Sequence, residues 1–199
     1  MAATLNWCED HGAATGSPAK GTTRDGFGAD TNYAVDCNWK TADDTNATAY
    51  TSAPIGPAPD CSYEKFQYLK ITGTFTSISG MKWTCHANYD EFASPDSLSE
   101  ADGYGFIKIM GAVRSVYTTP SRSINAALVT DFSRQVWAHQ GLPVQFATSG
   151  PENATPSDVL TAAGYSQYLV SQVQVLAGAT YGSSGSGESK TVVVWTEVP

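Results

Sequence analysis

Alternation of apolar and polar residues is strongest in FQYLKITGTFTSI. There Leu69, Ile71 and Phe75 share one face and Lys70, Thr72, Thr74 and Thr76 the other, the pattern of a half-buried strand. MKWTCHA repeats it, with Met81, Trp83 and Cys85 inward and Lys82, Thr84 and His86 outward. The intervening SISG reads as a turn, so the two runs predict a hairpin. FIKIMGAVRSVY sets Ile107, Ile109, Val113 and Tyr117 against Lys108 and Arg114. In SQYLVSQVQVLAG, Leu169, Val173 and Val175 oppose Tyr168, Gln172 and Gln174, and a glycine- and serine-rich stretch leads on to KTVVVWTEV. These last two runs predict a second hairpin around a solvent-facing loop at 181–189. In its closing strand Val192 and Val194 fall on one side and Val193 and Trp195 on the other. A strand apolar on both faces is usually covered on both, and tryptophan is enriched where subunits meet. Val193 and Trp195 are therefore the expected oligomer-interface residues.

The remaining pattern is weaker. Short strands are predicted in YAVDCNWK, in ATAYTSAPI before the prolines of GPAPD, and in LPVQFAT. Residues 125–140 fit a helix through Leu128, Phe132 and Val136, and fit a strand by their β-branched and aromatic content. PSDVLTAAG predicts one or two helical turns with Ser157 as cap and Gly164 as stop. Residues 9–31 show no period and read as an irregular arm. No internal repeat is present. The expected fold is all-β: a single β-sandwich, jelly-roll or immunoglobulin-like, spanning 32–199 behind an N-terminal arm at 1–31.

Composition sharpens this picture. Of 199 residues 41% are apolar and only 15% charged, against roughly 25% charged in ordinary globular domains. The surface must be built largely from neutral polar residues, which suits a protein outside cells or packed among many copies. A net charge of -8 and a pI near 4.7 argue against a nucleic-acid partner, because phosphate binding needs lysine and arginine. No run reaches the roughly 18 apolar residues of a membrane span, and MAATLNWCED lacks the basic and apolar regions of an export signal. An exterior-type surface without an export signal fits a virus coat, made in the host cytoplasm and released by lysis.

Candidate chemistry is sparse. Cys8, Cys37, Cys61 and Cys85 form no C-x-x-C pair; buried thiols are expected, with two disulfides as the alternative. CEDH places Cys8 three residues before His11, and Cys85 adjoins His86, yet neither has the paired short spacings of a zinc site. His11, His86 and His139 accompany no nucleophile motif, since GSSGSG misses the G-x-S-x-G spacing. No phosphate-binding loop occurs. The acidic loop at 88–105, with Asp90, Glu91, Asp96, Glu100 and Asp102, offers oxygen ligands for calcium without the order of an EF-hand. Trp7, Trp39, Trp83, Trp137 and Trp195 suggest a sugar-stacking platform, although aromatics in sandwiches more often pack. The expectation is no enzyme, no catalytic residue, no cofactor and no metal.

SYEKFQYLKITGTFTSISGMKW, taken with AGYSQYLVSQVQVLAGATYGSSG and KTVVVWTEV, resembles small structural proteins of tailed bacteriophage virions. The resemblance implies a non-enzymatic β-sandwich subunit, a capsid decoration or minor head protein or a neck or tail protein. Its partners would be other virion proteins and copies of itself, with no nucleic acid or membrane. The segment at 9–31 has no counterpart in that resemblance and is expected to order on a neighbouring subunit. The alternative from another class is a carbohydrate- or receptor-binding module.

Overall fold

The computed structural model describes residues 2–16, 20–27, 39–44, 52–56, 60–84, 107–125, 142–152, 156–175 and 192–198. Among the described residues there is no helix. The described residues form twelve strands, in chain order β1 (Ala3–Thr15), β2 (Lys20–Phe27), β3 (Asp60–Cys61), β4 (Lys65–Gly73), β5 (Ser77–Thr84), β6 (Ile107–Arg114), β7 (Leu142–Pro143), β8 (Phe146–Ala147), β9 (Val159–Leu160), β10 (Gly164–Ser166), β11 (Tyr168–Val175) and β12 (Val192–Val198).

They form two antiparallel sheets. In the larger, β4 is flanked by β1 on one edge and by β10 and β11 on the other; β2 extends β1, β8 extends β10, and β3 and β6 pair with β11. In the smaller, β5 pairs with β12 along one edge and with β7 and β9 along the other. From β4 to β10 each successive strand changes sheet. Both predicted hairpins are corrected by this crossing. β4 and β5 belong to different sheets, as do β11 and β12, so SISG lies within β5 instead of turning between paired strands. Pattern reports which face is buried, but the partner that buries it is a tertiary choice.

The crossing follows from where the apolar rows meet. Leu69 and Ile71 of β4, Leu169 of β11 and Phe146 of β8 pack against Ile78, Met81 and Trp83 of β5 and Leu160 of β9, with Phe75 in the crossover. Trp7 closes the layer, its ring centroid 4.9 Å from that of Trp83. Thus Leu69, Ile71, Phe75, Met81 and Trp83 are inward as the alternation predicted, and Lys82 is exposed. The opposite face of the large sheet is buried as well. Cys8, Phe66, Tyr68, Ala112, Tyr117, Tyr168 and Val170 form a second cluster there, with Phe66, Tyr117 and Tyr168 in mutual ring contact. Tyr168 and Gln172, placed on the polar side by the sequence pattern, are both fully buried. Val113 packs on the first cluster and Tyr117 in the second, not on one shared face as expected.

Two further expectations are corrected. Much of the irregular arm assigned to 1–31 is regular: β1 pairs with β4 from Ala3↔Gly73 to Asp10↔Phe66, and β2 lies antiparallel to β1. On β1 the polar residues that hid the strand pattern, Glu9, Asp10 and His11, are buried in the sheet. Residues 156–164 hold no helical turn; Ser157 bridges to Phe146, Val159–Leu160 pairs with β5, and Gly164 begins β10. LPVQFAT divides into β7 and β8, one in each sheet. The expected strands YAVDCNWK and ATAYTSAPI fall mostly outside the described residues, and the parts that are described, 39–40 and 52–55, are not strand. Residues 126–140 lie outside them too.

Candidate functional site

Neighbouring residues of paired antiparallel strands share a face. The register Leu5↔Ile71, Trp7↔Leu69, Glu9↔Gln67 therefore builds one row across β1 and β4 that begins apolar and ends charged. At the charged end Glu9 is the hub. Its Oε1 accepts a bond from Lys65 Nζ at 2.9 Å, its Oε2 accepts one from Gln67 Nε2 at 2.9 Å, and His11 Nε2 lies 3.0 Å from Oε1. On the far side of the imidazole, His11 Nδ1 is 3.1 Å from Asp43 Oδ1, and Asp43 Oδ2 accepts the Gly12 N–H at 2.8 Å. Glu9, His11, Lys65 and Gln67 are all at most 4% exposed. Next to them Trp39 Nε1 donates to Ser171 Oγ at 3.2 Å, and Lys40 pairs with Asp44.

Burial works to raise the Asp43 pKa, but the bonds from His11 and the Gly12 N–H, with the charges of His11 and Lys65, outweigh it and hold the carboxyl below its ordinary value. The two carboxylates thus lie among the Lys65 ammonium and hydrogen-bond donors, the condition under which buried acidic groups are tolerated.

Behind β1, on the other face, Tyr168 Oη donates to Asp10 Oδ2 at 2.5 Å and Tyr117 Oη to the Gly12 carbonyl at 2.7 Å. Burial first, then the carboxylates of Asp43, Asp10 and Glu9, pushes Tyr117 well above the usual phenol range. For Tyr168 burial is followed by the bond to Asp10 and by the charges of Asp10 and Glu152. Neither phenol is available as a base.

A third set ties the chain around residues 120–125 to the start of β4. Glu64 accepts the Ser121 N–H at 3.0 Å and Asn125 Nδ2 at 2.6 Å. Gln172 Nε2 donates to the carbonyls of Ser62 and Ser123, each at 3.0 Å. Arg122 donates to the Cys61 carbonyl and to Asp60, which also accepts the N–H groups of Gly56 and Cys61. A cleft of about 580 Å³ opens here, lined by Asp60, Cys61, Arg122, Ser123, Ile124 and Gln174. Burial and the Asp60 charge push the Cys61 thiol up against the opposing pull of Arg122, so the cleft holds a thiol and not a thiolate nucleophile.

Cys8 and Cys61 are both buried thiols, as the sequence leads one to expect. Cys8 and His11 lie on opposite faces of β1, which separates the two ends of CEDH as ligands. Among the described residues no group of three metal-ligating side chains converges. Trp83 is buried in the core and Trp7, partly buried, packs on it with the rings tilted at 41°, so both serve packing and not a sugar platform. Val193 pairs in register with Trp83, and Trp195 lies between the Val194↔Lys82 and Thr196↔Ser79 pairs, where the register shifts; their side chains are outside the described residues. So are Cys37, Cys85, His86, Trp137, His139, the acidic loop at 88–105 and the loop at 181–189. The charged cluster itself was missed by motif search, since Glu9, His11, Asp43, Lys65 and Gln67 follow no catalytic spacing. Its one sequence signal is that Leu5, Trp7, Glu9 and His11 continue a single alternating row.

No protein-family model, no curated protein and no solved structure matches the chain.

Proposed function

We propose that the chain is a non-enzymatic structural subunit of a tailed-bacteriophage virion, a capsid decoration or other minor head protein that acts through subunit contacts. A neck or tail position is the alternative within the same class. The observation that carries the non-enzymatic part is the closure of the charged groups. Glu9 accepts from Lys65 and Gln67, and Asp43 pairs with His11 Nδ1 and accepts the Gly12 N–H, inside the sheet and away from the cleft; His11 Nε2 is buried beside Glu9 without a hydrogen-bond partner. Such groups hold strands in register; they do not present a base or a nucleophile to a substrate.

The virion part rests on the resemblance and on a chain with 15% charged residues and a neutral polar coat. Within the sandwich class we favour the jelly-roll type, because strands β4 to β10 alternate between sheets. We further place a homo-oligomer contact at β12, which among the described residues pairs only with β5. Near its end the outer side carries Val198, 49% exposed, and on the other flank of β5 Val159, 45% exposed. Assembly in the host cytoplasm follows from the same reading.

The test is quantitative mass spectrometry of purified particles. A fixed copy number per particle, in a ratio set by particle symmetry, is expected. A chain that stays in the particle-free lysate, or is retained on a glycan array through a tryptophan, defeats the proposal.

A further inference from the structure

The segment 121–125 lies against β3, β11 and the start of β4 without pairing as a strand. None of its side chains is buried: Arg122, Ser123 and Ile124 are exposed, and Ser121 and Asn125 half-buried. Tyr117 and Pro120, just before it, are buried and pin the chain there. Glu64 brackets one end of the segment. It donates its N–H to the Ser121 carbonyl and accepts the Ser121 N–H, both at 3.0 Å, and its other carboxylate oxygen accepts Asn125 Nδ2 at 2.6 Å. Gln172 brackets the other end, its Oε1 accepting the Asn125 N–H at 3.3 Å while its Nε2 donates to the Ser123 and Ser62 carbonyls at 3.0 Å each. Arg122 Nε adds a bond to the Cys61 carbonyl at 3.1 Å.

Glu64 and Gln172 are 3% and 0% exposed, so two buried side chains grip a stretch of backbone that has no buried side chain of its own. Such a stretch sits at the low end of local stability, because each bond it gives up is replaced by one to water and little apolar area is uncovered. The same residues form one wall of the cleft of about 580 Å³: Arg122, Ser123 and Ile124 line it together with Asp60, Cys61 and Gln174. We propose that residues 121–125 are a gate on this cleft, bolted by Glu64 and Gln172, that swings out as one unit while both sheets stay formed. Opening widens the cleft onto the two bolts and bares the thiol of Cys61, now 9% exposed. The Gln172 bolt has to donate and accept at once, which a carboxamide does and a carboxylate does not. The inference stands on these bonds and on the cleft, and does not depend on the virion reading.

The test is hydrogen exchange on the full chain, read at the Ser121 and Asn125 amides against the core amide of Leu69, with iodoacetamide labelling of Cys61 mapped by peptide mass. After correction for intrinsic rate, Ser121 and Asn125 should exchange together and well ahead of Leu69, and Cys61 should be labelled while Leu69 is still protected. Gln172→Glu sets a carboxylate against the Ser62 and Ser123 carbonyls. It should raise both exchange rates and the labelling rate by about tenfold or more, the size of one buried hydrogen bond. Arg122→Ala, at an exposed position, should raise all three by about threefold and decides the matter if Gln172→Glu speeds Leu69 by the same factor. Ser121 and Asn125 exchanging only when Leu69 does, the two amides responding unequally, or Cys61 labelling that ignores Arg122→Ala overturns the gate.

Discussion

Lys65 shows what a single buried side chain commits the protein to. Its ammonium lies 2.9 Å from Glu9 with both groups nearly inaccessible, so Lys65→Met leaves Glu9 without its main counterion. Removing one partner of a buried pair costs about 3–5 kcal/mol. Urea unfolding should show a loss of that order, and Glu9→Leu in the Lys65→Met background should recover part of it, because the stranded charge is gone. Asp43 gives a pH signature of its own. Its folded pKa lies below the ordinary 3.8, so the stability it contributes is present above that value and lost as pH falls through the folded value. Asp43→Asn should flatten that part of the acid-unfolding curve. Gly164 is held by space: a Cβ there would come within 2.7 Å of the Ala147 carbonyl oxygen and of Leu160 Cδ1. Gly164→Ala should cost about 1–3 kcal/mol, read as a lowered urea midpoint.

At the scale of elements, what was legible in the sequence was burial, and what was not was pairing. Leu69, Ile71, Met81 and Trp83 could be assigned to the core because alternation is a local property of a strand. That β5 would pair with β12 and leave β4 to β1 depends on which apolar rows meet across the interior, a relation between residues as far apart in sequence as Ser77 and Val198. β1 was hidden for a different reason. Glu9, Asp10 and His11 look like solvent-facing residues until Lys65, Gln67 and Tyr168 are brought to them. The charged site was invisible on the same account, since its members come from β1, β4 and the segment 39–44. Gly80, with φ +63°, sits where the β5–β12 register shifts, and an L-residue there costs about 1–2 kcal/mol. Trp195→Ala tests the proposed contact at β12: the variant should remain folded by circular dichroism, while native mass spectrometry shows a smaller oligomer than the wild type. A wild-type chain that is monomeric at every concentration removes that contact from the account.

Among the described residues, two sheets share one apolar layer, a second, aromatic-rich layer lies on the back of the larger sheet, and Glu9, His11, Asp43 and Lys65 are gathered at the end of β1. The chain as a whole is low in charged residues, 15%, which is the feature the proposed subunit role draws on. The proposed role makes a direct demand on the particle. A cryo-EM map of the intact virion should contain, at symmetry-related positions and at full occupancy, density into which the two-sheet body fits with β12 at a subunit contact. A map of particles from the same lysate with no such density, while the chain is abundant in the soluble fraction, would contradict the account.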